Sequence, residues 1–211
     1  MNRTSIDEKT TGRVEAFSDG VFAIAITLLI LELKVPELNL SEVAHPDALL
    51  WEKLRELGPH YLAFLLSFVS ILVMWVNHHR IFTIVRKSDD AFLFWNGLVL
   101  LCVTVVPFPT ELLAHYMTGP GSKVAAAVYS GVALLIALAY TALWQHATRG
   151  GRLLTPGYRE QEVAELSQQY RHGPLAYLVA LGLAFVSSAA SIGLCLLLVV
   201  VFAFRGLTSG R

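Results

Sequence analysis

Of the 211 residues, 55% are apolar and only 15% are charged, against roughly a quarter charged in soluble domains. That composition argues against a water-soluble globule, and 16 basic residues balanced by 16 acidic ones argue against a nucleic-acid partner. A bilayer crossing takes about 20 mostly apolar residues, so the length has room for about five to seven in one membrane domain.

The first apolar segment, about 14–35, carries Asp19 and Glu32. A signal peptide is not expected, because the first dozen residues are polar and a signal's apolar stretch would not hold Asp19. An acidic loop follows, with a short surface helix predicted at Trp51–Leu57. The second helix, 60–82, ends in Asn77-His78-His79-Arg80. The third, 90–113, meets Pro107-Phe108-Pro109 and then Glu111, read as a solvated helix end. The fourth, 123–146, contains Tyr129-Ser130-Gly131, a stretch suited to close helix packing. Tyr158–Tyr170 alternates in charge and reads as a cytoplasmic or membrane-surface helix. From Pro174 to Phe204 the chain is apolar again. One straight helix of that length would rise about 46 Å, well beyond a hydrocarbon core of about 30 Å. Two short helices, 174–187 and 190–205, with a turn in Ser187–Ser191 fit better. The expected fold is therefore all-α: one membrane domain of six transmembrane helices over 1–211. With both termini cytoplasmic, twelve Lys and Arg fall inside and four outside (Lys34, Lys53, Arg55 and Lys123), as the positive-inside bias favours.

The first helix is unusual for a lipid-facing segment. At 100° per residue Ile24, Leu28, Leu31 and Val35 form one stripe, with Thr27 on its edge and Ile30 off it. Asp19 points to nearly the opposite face. An apolar stripe facing water is a hydrophobic constriction; facing lipid or a neighbour it is packing, the commoner case. Arg13, Asp19 and His78 lie at similar depth, which suggests a polar network between the first two helices. Adjacent histidines point about 100° apart and cannot jointly grip one ion as an i,i+4 pair would. His115 and His146 lie at other helix ends. No metal site and no cofactor are expected. Cys102 and Cys195 sit singly in apolar runs and read as buried small hydrophobes. No nucleophile with a base and an orienter is visible, so no enzyme is expected.

Arg13-x-x-x-Phe17-Ser18-Asp19, followed by Ala23-Ile24-x-x-Thr27-Leu28-x-x-Leu31, resembles the signature of the transmembrane-protein-175-type potassium channels of endolysosomes and bacteria. Trp75-x-x-His78-x-x-x-Phe82 is similar to that family's second-helix pattern. The resemblance implies a potassium-selective channel without a TVGYG filter, and the chain contains no such segment. It implies that the first helix of each subunit lines the pore. Ile24 is then the constriction and gate, with Leu28 and Leu31 as further apolar layers and Thr27 linked to selectivity. It further implies that Arg13, Phe17, Ser18 and Asp19 are structural and tied to Trp75 and His78. One copy of the motif implies a homotetramer in a bacterial plasma membrane, in contact with lipid and passing potassium and other monovalent cations. The alternative from the residues alone is a proton-coupled secondary transporter using Asp19 and His78.

Overall fold

The computed structural model describes residues 4–37 and 45–208, with side chains described over 11–37 and 45–204. Arg3 and Arg211 of the charge asymmetry lie outside the described residues, and the side chains of Lys9 and Arg205 are likewise not described. Helix α1, Thr4–Leu28, continues as a 3-10 turn over Leu29–Glu32. Its burial has helical period: Ser18, Phe22, Ala25 and Leu29 are buried, at spacings of four, three and four. Helix α2, Pro46–Glu56, and helix α3, Gly58–Ile84, both carry proline in the first turn, where its missing N–H needs no partner.

Helix α4 spans Asp90–Thr104 and starts on Asp89, whose carboxylate accepts the Phe92 N–H at 2.8 Å. Helix α5 follows at once, Pro107–Tyr116. The helix predicted over 90–113 is thus in two pieces. The reason is the proline pair, which removes two N–H donors. Around the break Val106 and Phe108 donate to carbonyls three residues back, at 3.1 Å each. The buried Thr110 hydroxyl returns to the Val106 carbonyl at 2.8 Å. Gly121 opens helix α6, Ser122–Thr148, with φ of 95°. A Cβ there would stand 3.2 Å from the Tyr116 ring, so both backbone and space favour glycine.

After α6 the chain crosses the end of α3. Val85 and Leu154 form an isolated antiparallel bridge, Thr155 N–H donates to the Ile84 carbonyl at 2.8 Å, and Arg86 N–H donates to the Leu153 carbonyl at 2.9 Å. The Thr11 hydroxyl of α1 donates to the Arg86 carbonyl at 2.6 Å. Asp89 completes this strap through His146 Nε2 at 2.8 Å and Arg152 Nη2 at 2.6 Å.

Helix α7 runs unbroken from Glu160 to Val186 with Pro174 inside it. The charged segment 158–170 is therefore mostly the first half of this rod and not a separate surface helix. Pro174 cannot donate to the Tyr170 carbonyl four residues back. The Thr141 hydroxyl of α6 reaches that carbonyl instead, at 2.8 Å, sharing its one hydrogen with the Ala137 carbonyl of its own helix at 2.7 Å, which gives the freed group a donor and lets the helix continue. Ser187 is extended, and its hydroxyl accepts the Ala190 N–H at 3.2 Å. It caps helix α8, Ser188–Thr208.

Helix α6 is the centre of the packing, with its broadest contacts to α7 and α4, while α1 rests on α3 and α4. One core cluster fills the half holding Phe22, Phe82, Phe92 and Trp144. A second holds Leu66, Leu113, Tyr129 and Cys195 in the other half. Among the described residues four helical stretches are long and apolar enough to cross a membrane: Thr11–Glu32, Gly58–Ile84, Asp90–Tyr116 and Ser122–Gly151. Ser188–Phe204 is a shorter apolar helix. In α7 the continuous apolar run begins at Pro174; before it Val163, Leu166 and Tyr170 stand among charged and polar residues and pack on the core.

Candidate functional site

The two faces of α1 differ completely. On the packed face a chain of hydrogen bonds joins three helices. His78 Nε2 meets Asn96 Oδ1 at 2.8 Å, Asn96 Nδ2 donates to Ser18 Oγ at 3.0 Å, and Ser18 Oγ donates to the Val14 carbonyl at 2.8 Å. Because the amide oxygen only accepts, His78 carries its hydrogen on Nε2. Every donor therefore points one way, from α3 through α4 into α1. His78 is fully buried, with its ring stacked on Phe82 at 4.7 Å and tilted against Phe22 at 5.2 Å.

Beside this chain, Trp75 Nε1 donates to Asp19 Oδ1 at 2.9 Å, a second tie between α1 and α3. A third joins His79 Nδ1 to Glu15 Oε1 at 2.9 Å. The adjacent histidines thus serve different partners. The Arg13–Asp19–His78 network suggested by depth is not the one formed: Asp19 takes the indole and His78 takes Asn96. Arg13 is exposed, beside Val14 and Phe17 on a groove against Leu93 and Gly97 of α4. Phe17 is 68% exposed. The structure therefore brings together Ser18 with His78 and Asp19 with Trp75, and leaves Arg13 and Phe17 outside both links. Asn96 is the residue missed by motif reading, although a single amide inside an apolar span marks a polar tie between helices.

The opposite face of α1 is left open among the described residues. Ile24 is 61% exposed, Leu28 42% and Leu31 67%, and Thr27 is exposed between them. The 3-10 turn carries Leu31 directly over Leu28, since residues three apart eclipse in that geometry. The same turn exposes Ile30, at 52%, which regular α-helical spacing puts off the stripe. The Thr27 hydroxyl donates back to the Ala23 and Ile24 carbonyls, each at 2.9 Å. Its hydrogen is committed to its own helix, and lone-pair capacity remains on the oxygen.

Comparison with known proteins finds relatives over most of the chain. The family model of the endosomal/lysosomal potassium channel TMEM175 matches residues 13–107. A protein of Chamaesiphon minutus named a potassium channel is 53% identical over 199 residues, 94% of this chain and 96% of the relative. The crystal structure of a lysosomal potassium-selective channel TMEM175 homolog from Chamaesiphon minutus superposes with a TM-score of 0.84 at 52% identity, covering 94% of this chain and 98% of that one. A Danio rerio relative, named an endosomal/lysosomal proton channel, is 36% identical over 136 residues, 63% of this chain and 26% of its own length. The matched segment includes α1, α3 and α4, the three helices joined by the Ser18–Asn96–His78 chain. The chain belongs to the family of the endosomal/lysosomal potassium channel TMEM175.

Proposed function

We propose that the protein is a potassium-permeable cation channel formed by four copies of the chain, with α1 of each copy facing the shared axis. The observation that carries this reading is the division of α1. One face is fixed by buried residues and three polar ties, and the other leaves Ile24, Leu28 and Leu31 exposed among the described residues. Ile24 forms the narrowest ring, with Leu28 and Leu31 as further apolar layers. An apolar ring at narrow radius resists wetting and opposes ion passage. An isoleucine ring has no oxygen to replace a hydration shell, so selectivity falls to Thr27, whose lone pairs stay available. Arg13 and Phe17 are structural residues of the assembled channel, as Ser18, Asp19, Trp75 and His78 are of the single chain. The chain crosses a bacterial plasma membrane six times, the last two crossings in the apolar half of α7 and in α8, with both termini cytoplasmic. Lipid surrounds it, monovalent cations pass through it, and it needs no cofactor.

Unitary currents from purified protein in a planar bilayer, with reversal potentials in mixed potassium and sodium, test this directly. Ile24→Asn makes the ring wettable and raises conductance. Thr27→Val lowers the potassium-to-sodium permeability ratio several-fold. Ile26→Val, half-buried against the core, leaves permeation unchanged. Saturable proton-coupled flux without unitary currents, abolished by Asp19→Asn, would overturn the channel in favour of a transporter.

A further inference from the structure

A second cluster of polar side chains stands at the other end of α3. His60 lies about 27 Å along that helix from His78, at the 1.5 Å rise per residue. His60, in the first turn of α3, and Glu111 and His115, one turn apart on α5, each present a ligand atom, and the three atoms lie within 4.8 Å of one another. Two of these groups have unmet demand. Nδ1 of His60 and Oε2 of Glu111 are shielded from solvent and have no hydrogen-bond partner among the described residues. Shielded lone pairs without a donor are unfavourable, and a cation between them would satisfy both. His115 is exposed, edge-on to Tyr116 with ring centroids 4.8 Å apart, so its ring has room to turn inward. The surrounding charge favours a cation as well: Glu32 is close enough to repel Glu111, and among the described residues Lys34, with Nζ 4.0 Å from Glu111 Oε1, answers the two carboxylates.

We propose that His60, Glu111 and His115 form a binding site for a divalent transition-metal ion of the zinc class. Two imidazoles and one carboxylate are a donor set that zinc accepts, with a fourth position left to water. Ligands about 2.0–2.2 Å from zinc stand roughly 3.5 Å apart in a tetrahedron, so the three groups need close only slightly. The ion would clip the start of α3 to α5, next to the 3-10 turn that ends α1, and would take Glu111 from Lys34. The amino-acid order conceals the site: only the i,i+4 pair Glu111 and His115 is local, and His60 is supplied by the antecedent helix. For that reason the sequence pattern alone predicts no metal.

The test is calorimetric titration of zinc chloride into the whole purified protein, stripped with chelator and freed of any histidine tag. One zinc per chain is expected. His115→Ala, an exposed substitution that does not threaten folding, weakens binding at least tenfold, and His60→Gln does the same. Lys34→Ala removes the competing ammonium and tightens binding several-fold, a gain that loss of a structural contact would not produce. Absence of saturable zinc binding in the wild-type protein would overturn the proposal. So would His115→Ala binding zinc as wild type does, or Lys34→Ala failing to tighten it.

Discussion

Asn96 uses both ends of its amide, accepting from His78 and donating to Ser18. No apolar residue can replace it without leaving the buried His78 imidazole N–H unpaired and taking from the Ser18 oxygen its incoming donor, while the Ser18 hydroxyl keeps the Val14 carbonyl. Asn96→Leu is expected to cost about 1–3 kcal/mol per orphaned group, seen as a lower thermal unfolding midpoint of the detergent-solubilised protein. Asn96→Ser, too short to span both partners, falls between wild type and Asn96→Leu. Equal midpoints for wild type and Asn96→Leu would remove the chain from the list of stabilising features. The periodicity of α1 sets the stripe of Ile24, Leu28 and Leu31 apart from Asp19 without a structure, whereas the buried face of Ser18, Phe22, Ala25 and Leu29 emerges only in the fold. The partners of those residues are not legible: Trp75 meets Asp19 from 56 positions away and Asn96 meets Ser18 from 78. Matching depth groups Arg13, Asp19 and His78, but depth does not specify the direction in which a side chain points.

At the scale of elements, α7 and the strap after α6 each depend on a contact supplied by another helix. Thr141 donates to the carbonyl that Pro174 leaves free. Thr141→Val should therefore destabilise by about 1–2 kcal/mol. Adding Pro174→Ala should recover much of this, because the new N–H takes the Tyr170 carbonyl within α7. A double-mutant cycle on thermal midpoints measures the coupling, and strictly additive losses would count against this account. In the strap, partial burial alone would raise the Asp89 carboxyl. The Phe92 N–H, His146 and Arg152 outweigh it and hold the group below its ordinary value near 3.8. A carboxyl depressed in the folded state stabilises at pH above its unfolded value, and that contribution is lost as pH falls through the lower folded value. Stability is expected to fall on acidification below about pH 4, and Asp89→Asn to flatten that dependence in pH-scanned unfolding. Prolines announce the α4–α5 break in the sequence. The unbroken run of α7 through Pro174 is hidden, because its rescue comes from Thr141 in a different helix.

For the whole molecule, a single chain leaves the apolar stripe of α1 bare, and an enclosed path needs several copies. Mass measurement of conducting protein in nanodiscs is expected to give four chains, and a conducting monomer or dimer would refute the arrangement. Composition is enough to read a membrane protein, since charged residues are so few. It does not count the crossings, because the polar first half of α7 and the short α8 blur the hydropathy of the last two. The 3-10 turn at Leu29–Glu32 also has a consequence for distance. Ile24 to Leu28 is about 6 Å along an α-helix, at 1.5 Å per residue. Leu28 to Leu31 is about 6 Å as well, because the tighter winding rises about 2.0 Å per residue. In a ring of copies the three side-chain tiers would then be evenly spaced, Leu31 over Leu28 and Ile24 turned about 40° from them, a dry sleeve of about 12 Å. Dilating one tier alone would leave the neighbouring tiers dry, so water would enter only when all of them retreat in concert.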